Sequence, residues 1–252
     1  MGGVFNMIVW FGETAFDCDA IAFDKDGTLI DRVAFWMGLY ETRIYLLNER
    51  LDSDVVSVWK ATNGLDDGSR QIDPDSPFAV GTFEEEKVIL AGAIYAVERT
   101  PWDQAIELAG ELLTEADKKM PKSAYTNPLP GVPNTLIELA ECGLPLCVLT
   151  SDIRMRATDM IRELDFEDAI KCIITPEDVE HGKPAPDMII HAAKKLNVAV
   201  SKIAMVGDSV LDIKMARAAG AFPVVVSKNC GQSSEVEGLS VSTIRSISEI
   251  RI

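Results

Sequence analysis

Short apolar segments that end abruptly in polar residues recur along the chain. The first, Ala20 to Phe23, is followed directly by Asp24. The same pattern returns at residues 146–149, 203–206 and 224–226, each followed within three residues by a charged side chain. Continuous apolar runs of this length are typical of buried strands. We therefore predict buried strands whose carboxyl ends carry polar side chains, and the apolar run from Met7 to Phe11 favours one more strand.

Amphipathic helices separate these predicted strands. Apolar residues recur at helical spacing in four segments: Thr135 to Ala140, Arg156 to Leu164, Met188 to Leu196 and Ile213 to Ala219. Gly220 is placed to end the last helix as a C-terminal cap. Alternating strands and helices predict an α/β fold with a parallel sheet, in which ligands bind at the carboxyl ends of the strands. The tail from Ser233 to Ile252 favours a final short helix on this core.

The segment from residue 33 to residue 127 has helical patterns and no convincing strand. Four helices are predicted, over Phe35 to Leu51, Asp54 to Trp59, Glu84 to Val97 and Pro101 to Lys118. Thr82 and Glu85 form a capping box that opens the third helix. Thr100 is an N-cap, with Pro101 at the first position of the fourth helix. Four helices predict a small bundle inserted after the first core strand.

Insertion of this bundle divides the chain into two domains. The α/β core would consist of residues 1–32 and 128–252, and the helical domain of residues 33–127. Nineteen residues, Asn63 to Gly81, connect the second and third predicted helices and are rich in Gly, Asp, Ser and Pro. Connections this long without a predicted element are commonly disordered or functional. This loop is therefore a candidate for substrate contacts.

The net charge restricts the expected partners. With 24 Lys and Arg against 40 Asp and Glu, the formal net charge is −16. A surface this acidic repels phosphate backbones, so nucleic acid is not an expected partner. The longest apolar run, Val88 to Val97, has ten residues, whereas a membrane-spanning helix needs ~20. The first basic residue is Lys25, so no basic leader is predicted, and we expect a cytoplasmic protein that does not bind membranes.

Cysteine and histidine usage argues against a disulfide framework and a zinc site. The five cysteines include no C-x-x-C pair, and the chain has two histidines. Zinc sites are built mainly from such residues, so neither feature is predicted. We expect the cysteines to be buried free thiols.

Asp24 and Asp26 are the first candidates for chemistry. They flank Lys25 at the end of a predicted strand, and Gly27 allows the chain to turn there. Two carboxylates this close do not both ionise easily unless a cation accompanies them. The pair fits a carboxylate nucleophile beside a second carboxyl that acts as acid or base, with Mg²⁺ held by oxygen ligands. The alternative is a solvated Asp-Gly turn after a strand.

The six residues from Asp24 to Leu29, DKDGTL, resemble the first motif of the haloacid dehalogenase superfamily. The second, third and fourth motifs of that superfamily have counterparts in the same order: Thr150, Lys183 in GKPAP, and Gly207 to Asp212 with the sequence GDSVLD. Taken alone, Thr150 or the pair Asp208-Ser209 could cap a helix, and Lys183 could be a solvated lysine. Their order along the chain favours the resemblance, which covers roughly residues 18–32 and 128–230 of the predicted core.

The resemblance implies a Rossmann-like core of the haloacid dehalogenase fold and a role for each motif residue. Asp24 would be the nucleophile, and Asp26 would act first as acid and then as base. Mg²⁺ would be held by Asp24, Asp208 and the backbone carbonyl of Asp26. Asp212 would complete the metal site by orienting a metal-bound water. The groups that contact the phosphoryl oxygens would be Thr150, Lys183 and the backbone N–H groups near Ser151 and Gly27.

The predicted bundle resembles the α-helical C1 cap of this superfamily, which implies a small phosphorylated metabolite, phosphoglycolate-like or a sugar phosphate, as substrate. Arg70 in the connecting loop could bind a substrate carboxylate, and a solvated arginine is equally compatible. Trp36 and Trp59 are expected in the bundle core. A phosphonate hydrolase would need a reactive lysine from the cap, and Lys60 and Lys87 are the candidates, but no neighbouring residue in the sequence activates them.

Three functions are compatible with these motifs. A Mg²⁺-dependent phosphatase is the leading hypothesis, because dehalogenases of the superfamily lack the acid that Asp26 would supply. A phosphotransferase of the β-phosphoglucomutase type would share every core motif. A non-catalytic binding protein of the same fold is disfavoured, since no motif residue is missing. The sequence carries no signal of an oligomeric state.

Overall fold

The computed structural model describes residues 7–66, 71–73, 76–121, 127–227 and 242–252. These residues form two compact units. The core unit consists of the described residues before 32 and after 124, and the inserted unit consists of those from 32 to 124.

Strands predominate at the centre of the core unit, and helices predominate in the inserted unit. The strands are β1 (Met7–Phe11), β2 (Thr14–Cys18), β3 (Ala20–Phe23), β4 (Leu65–Asp66), β5 (Gln71–Ile72), β6 (Leu146–Leu149), β7 (Ile170–Ile174), β8 (Ile203–Gly207), β9 (Phe222–Val226), β10 (Ser242–Ile244) and β11 (Ile250–Arg251). The helices are α1 (Arg32–Arg50), α2 (Ser53–Thr62), α3 (Pro77–Val80), α4 (Phe83–Glu98), α5 (Trp102–Lys119), α6 (Val132–Glu141), α7 (Arg154–Glu163), α8 (Asp187–Leu196) and α9 (Val210–Ala219).

A six-stranded sheet of order β10-β9-β8-β3-β6-β7 forms the centre of the core unit. Every neighbouring pair is parallel. All residues of β3, β6 and β8 are buried, which explains their continuous apolar sequences. Phe23 pairs with Val148 of β6 and with Val206 of β8, so the carboxyl ends of these three strands lie side by side. The predicted α/β fold with a parallel sheet is confirmed.

Helices α8 and α9 cover one face of this sheet. Ala20 and Ala22 of β3 belong to one buried cluster with Met188 and Ile189 of α8 and with Met215 of α9. Residues two apart on a strand point to the same face, so the small side chains of β3 leave room for the larger ones from the helices. This packing fixes the strand that ends at the first motif.

Two predictions at the ends of the chain have different outcomes. The strand predicted over Met7 to Phe11 is confirmed as β1, which pairs antiparallel with β2 and β11. The short helix predicted for the tail is confirmed only in part: the described residues of the tail form a single 3-10 helix, Ile247–Glu249, which buries Ile247 and lies between the strands β10 and β11. Burial alternates along β10, and that period of two fits a strand rather than a helix. Strand β7 was not predicted because the exposed Lys171 interrupts its apolar run.

Helices α1, α2, α4 and α5 of the inserted unit match the four predicted segments. The capping box of α4 is confirmed, because Thr82 Oγ1 accepts from the Glu85 N–H and the Glu85 carboxylate accepts from the Thr82 N–H at 2.7 Å. The N-cap predicted at Thr100 is wrong. Helix α5 starts one residue later than expected, with Pro101 in the cap position, and the Thr100 hydroxyl donates to Glu98, the last residue of α4. Only three residues separate the two helices, which leaves Thr100 within reach of the preceding one.

The connection between α2 and α4 holds more regular structure than its composition predicts. Strands β4 and β5 form an antiparallel pair, and α3 follows, so the expectation of no strand in the inserted segment is wrong. Leu65 is buried, and Phe78 of α3 packs edge-on against Trp59. Leu65 and Phe78 lie among polar residues, so the hydrophobic pattern of this segment did not predict a strand or a helix. Arg70, with residues 67–69 and 74–75, lies outside the described residues.

A buried ion cluster joins three helices of the inserted unit. Arg43 of α1 is fully buried and contacts Glu86 of α4 and Asp117 of α5. Trp36 and Trp59 are buried, as predicted for the bundle core. Among the residues that the structure describes, no helix combines the length and apolar character needed to cross a bilayer.

The described cysteines are free thiols with different environments. Cys18 and Cys147 are buried, and Cys172 is partly buried. The expectation of burial is wrong for Cys142, which is exposed because it lies at the cap position that ends α6. Cys230 lies outside the described residues.

Candidate active site

Asp24 lies at the carboxyl end of β3 and contacts a buried lysine. Its N–H donates to the Val206 carbonyl at 2.8 Å, which extends the strand pairing by one residue. Lys183, from the loop before α8, places Nζ 2.5 Å from Asp24 Oδ1 and 2.7 Å from Asp212 Oδ1. Only 4% of the Lys183 side chain is exposed. The fold therefore joins residues of the first, third and fourth motifs at one edge of the sheet.

Three carboxylates converge beside Lys183. One oxygen each from Asp24, Asp208 and Asp212 lies within 4.8 Å of the other two. Asp212 Oδ2 also accepts from Ser209 Oγ at 2.6 Å, within a capping box that opens α9. The helix cap considered for this segment is thus present, and it is compatible with the acidic cluster. An all-oxygen donor set with more negative than positive charge fits a hard divalent cation such as Mg²⁺.

Gly27 makes room for the Asp208 carboxylate. Its φ of +86° lies in the left-handed region, which glycine adopts without steric cost. A Cβ at this position would also overlap the carboxylate of Asp208. Glycine is therefore required here for the turn and for the shape of the acidic cluster.

Burial and charge perturb two groups of this cluster. Burial raises the pKa of the Asp24 carboxyl well above its ordinary value; the Lys183 charge opposes this shift, and the carboxylates of Asp212, Asp208 and Asp26 add to it. Burial by itself would lower the pKa of Lys183, but Asp212 and Asp24 outweigh burial and raise it. Lys183 is therefore protonated at neutral pH. A cation among the carboxylates would favour the ionised, nucleophilic form of Asp24.

Thr150 and Ser151 follow β6, the neighbour of β3 in the sheet. The Thr150 side chain is buried, and its hydroxyl accepts a hydrogen bond from the Asp152 N–H at 3.0 Å. Thr150 does not cap α7, because Ile153 occupies the cap position. Strand order places Thr150 and the partly buried Ser151 at the sheet edge that carries Asp24.

The Asp26 carboxylate is held by groups that sequence reasoning missed. Lys25 Nζ lies 2.7 Å from Asp26 Oδ1 and 2.9 Å from Asp152 Oδ2. A guanidinium nitrogen of Arg156 lies 2.8 Å from Asp152 Oδ1. Burial raises the pKa of Asp26, and the Lys25 charge opposes that shift. Two signals were available: a lysine at the end of a buried strand needs carboxylate partners, and residues 152 and 156 have the spacing of a helical ion pair.

The predicted site residues fall into three groups. The side chains that meet in one cluster, with the glycine that admits them, are Asp24, Gly27, Lys183, Asp208 and Asp212. Asp26, Thr150 and Ser151 lie beside this cluster in the chain or along the same sheet edge. Arg70 lies outside the described residues. In the inserted unit, Lys87 pairs with Glu84 of its own helix, and Lys60 is half-buried on α2.

Comparison with known proteins identifies similar sequences. The family model of the haloacid dehalogenase-like hydrolases matches residues 18–220. A phosphoglycolate phosphatase of Neisseria meningitidis is 34% identical over 109 residues, which are 43% of this chain and 46% of that protein. The chain thus matches about half the length of this relative. A phosphoglycolate phosphatase of Escherichia coli K12 is 26% identical over 211 residues, covering 81% of this chain and 79% of that protein.

Solved structures share the fold. A predicted phosphoglycolate phosphatase from Haemophilus somnus superposes with a TM-score of 0.65 at 16% identity, over 92% of this chain and 96% of that one. A β-phosphoglucomutase from Clostridium difficile has a TM-score of 0.59 at 17% identity, over 93% of this chain and 94% of that one.

Proposed function

The chain belongs to the haloacid dehalogenase-like hydrolase family, and from that premise we propose that it hydrolyses the phosphate ester of a small metabolite through a phosphorylated Asp24, with Mg²⁺ as cofactor. The observation that carries the proposal is the convergence of Asp24, Lys183, Asp208 and Asp212 at the carboxyl edge of the sheet. This arrangement combines a carboxylate nucleophile, a fixed cation and oxygen ligands for a metal.

In the first step, a carboxylate oxygen of Asp24 attacks phosphorus, and the bond between phosphorus and the ester oxygen breaks. The leaving alkoxide takes a proton from the carboxyl group of Asp26. The products of this step are the free alcohol and an acyl phosphate on Asp24. The ammonium of Lys183 reduces the repulsion between the nucleophile and the anionic substrate.

In the second step, water attacks the same phosphorus and gives a proton to the Asp26 carboxylate. The bond between phosphorus and Asp24 breaks, which releases inorganic phosphate and restores both carboxyl groups. The Thr150 hydroxyl and the backbone N–H group of Ser151 bind phosphoryl oxygens in both steps. The phosphoryl contact predicted for Gly27 is wrong for its own N–H, which donates to the Ile30 carbonyl at 2.9 Å within the turn.

Asp24, Asp208 and the backbone carbonyl of Asp26 would hold Mg²⁺. When bound, the metal supplies positive charge that offsets the repulsion between Asp24 and the phosphate. Asp212 is already fixed by Lys183 and Ser209, which fits a role in orienting water at the metal rather than direct ligation.

The identity of residue 26 favours an oxygen ester over a halide as substrate, because a carbon–halogen bond needs no acid for its leaving group. The similarity to phosphoglycolate phosphatases favours a small phosphorylated acid, and a sugar phosphate is the second substrate class. The β-phosphoglucomutase fold similarity makes phosphoryl return to a sugar the alternative outcome of an assay.

The direct test is hydrolysis of p-nitrophenyl phosphate with Mg²⁺ and with EDTA. We expect EDTA to abolish turnover and Asp24→Asn to lower kcat/KM by at least about 10³-fold. Asp159→Asn, on the exposed surface of α7, is the matched control and should have wild-type activity. Metal-independent turnover or an active Asp24→Asn variant would overturn the mechanism. A screen of phosphorylated acids and sugars, with phosphate release measured against isomerised sugar phosphate, separates phosphatase from mutase.

A further inference from the structure

We propose that Lys25, Asp152 and Arg156 form a buried ion chain that fixes the direction of the Asp26 carboxyl group, and that they act as positioning residues for proton delivery to the leaving group. The inference rests on the proposed phosphatase function. It assigns a task to three residues to which the resemblance gave no role.

The ionic contacts run without a break from Arg156 to Asp26, which lies in the candidate active site. Arg156 contacts Asp152 Oδ1 at 2.8 Å, Asp152 Oδ2 contacts Lys25 Nζ at 2.9 Å, and Lys25 Nζ contacts Asp26 Oδ1 at 2.7 Å. The side chains of Lys25, Asp152 and Arg156 are 0%, 7% and 6% exposed, whereas that of Asp26 is 22% exposed. Asp26 is therefore the most exposed of these four side chains, and the other three are buried.

The contact at Oδ1 leaves a defined role for the other Asp26 oxygen. An aspartate side chain on a turn can rotate among several staggered conformations. The Lys25 contact favours the conformation in which Oδ1 points to the interior, so Oδ2 is the oxygen left for the substrate. Reacting atoms must lie within hydrogen-bond distance for efficient proton transfer, and holding one rotamer meets that requirement before the substrate binds.

The same residues connect the loops that carry the first and second motifs. The Lys25 carbonyl accepts from the Leu29 N–H at 2.9 Å and from the Ile30 N–H at 3.1 Å, which closes the turn around Asp26. On the other side, the Asp152 N–H donates to Thr150 Oγ1 at 3.0 Å. The Lys25–Asp152 ion pair thus joins the turn of the acid to the loop of a phosphate-binding hydroxyl.

Stability alone does not account for this arrangement. Replacing a buried ion pair by apolar side chains of similar size is often neutral or stabilising, because each charge loses its hydration. An apolar side chain at position 25, which is fully buried just after β3, would need no charged partner. The structure instead has two cations, Lys25 and Arg156, and two carboxylates. This set of four charges fits a role in orienting one of the carboxylates, that of Asp26.

Leaving-group dependence distinguishes positioning of the acid from general damage. An aryl phosphate with a strongly activated leaving group, such as 2,4-dinitrophenyl phosphate, departs with little need for a proton. An alkyl phosphate needs the proton, and general acid catalysis contributes about 10²–10⁴-fold in such steps. A misdirected Asp26 therefore slows the alkyl ester much more than the aryl ester.

The experiment compares kcat/KM for 2,4-dinitrophenyl phosphate and for the alkyl phosphate that the wild type hydrolyses fastest. For Lys25→Met we expect a fall of about 10²-fold or more with the alkyl ester and less than about 10-fold with the aryl ester. Asp152→Asn keeps Lys25 and should give the same asymmetry with a smaller amplitude, and Lys25→Arg should restore part of the alkyl activity. Arg162→Met removes an exposed ion pair on α7 and is the matched control, expected to leave both rates unchanged.

A double-mutant cycle completes the test. In an Asp26→Asn background, Lys25→Met should lower alkyl activity less than about 3-fold further, because the acid is already absent. Equal falls for both esters, or full additivity with Asp26→Asn, would overturn the inference while leaving the phosphatase function intact. If Lys25→Met does not fold, Asp152→Asn carries the same two comparisons. A wild type that hydrolyses neither ester overturns the proposed function and this inference with it.

Discussion

Replacing Gly27 by alanine separates the two reasons for glycine in the first motif. At φ +86°, an alanine costs about 1–2 kcal/mol of left-handed backbone strain. The added Cβ would also overlap the Asp208 carboxylate, which must then move away from Asp24. Gly143 offers a control, since its φ is +82° and a Cβ there meets no atom within 4 Å.

Gly143→Ala should therefore lose about 1–2 kcal/mol of unfolding free energy, and Gly27→Ala should lose more than that, because the overlap with Asp208 adds to the backbone strain; urea denaturation in EDTA measures both. Only Gly27→Ala should lose the thermal stabilisation that Mg²⁺ gives to the wild type, and its kcat/KM should fall by about 10–100-fold, the usual cost of disturbing a metal site. Gly143→Ala should keep both properties. Equal activity and equal Mg²⁺ response in the two variants would refute the claim that Gly27 shapes the metal site.

Three further predictions concern buried and exposed charges. Lys183→Met should lower unfolding free energy by about 3–5 kcal/mol, because it leaves two buried carboxylates unpaired, whereas Lys202→Met at a surface pair should cost about 0–1 kcal/mol; urea denaturation measures both. Arg43→Met in the inserted unit should likewise cost about 3–5 kcal/mol, and the exposed Arg50→Met should cost below about 1 kcal/mol. Burial would raise the pKa of Asp178, but a backbone N–H and a neighbouring guanidinium outweigh burial and lower that pKa. The Asp178 carboxylate therefore stabilises the fold above pH ~3.9. This stabilisation is lost as pH falls through the lowered pKa. The Tm deficit of Asp178→Asn at pH 7 should therefore shrink below pH ~4, and a deficit that persists in acid would contradict this reasoning.

The α/β core could be predicted because its strands are buried on both faces. Continuous apolar runs such as Ala20 to Phe23 exist only because no residue of the strand meets water, and each run stops where the chain reaches the sheet edge. The position of Thr150 and Asp208 at one edge follows from parallel strand order. The prediction of a site at that edge needed no knowledge of side-chain contacts.

Other features depend on partners that are distant in sequence. Strand β11 exists because Ile250 pairs with Phe11, and no local pattern predicts that pairing. The Lys25–Asp152 contact joins residues from two separate loops, so the sequence shows only that Lys25 needs some partner. The Thr100 cap failed for a local reason, since α5 begins one residue later than predicted and Pro101 takes the cap position.

The central claim is that Asp24 becomes phosphorylated during turnover. The most direct measurement is rapid acid quenching of the Mg²⁺-loaded protein during turnover of p-nitrophenyl phosphate, followed by mass spectrometry of the peptide that contains Asp24. We predict a phosphoryl group on Asp24 that disappears when the substrate is exhausted and that never forms in Asp24→Asn. Steady release of phosphate with an unmodified Asp24 at every quench time would contradict the account.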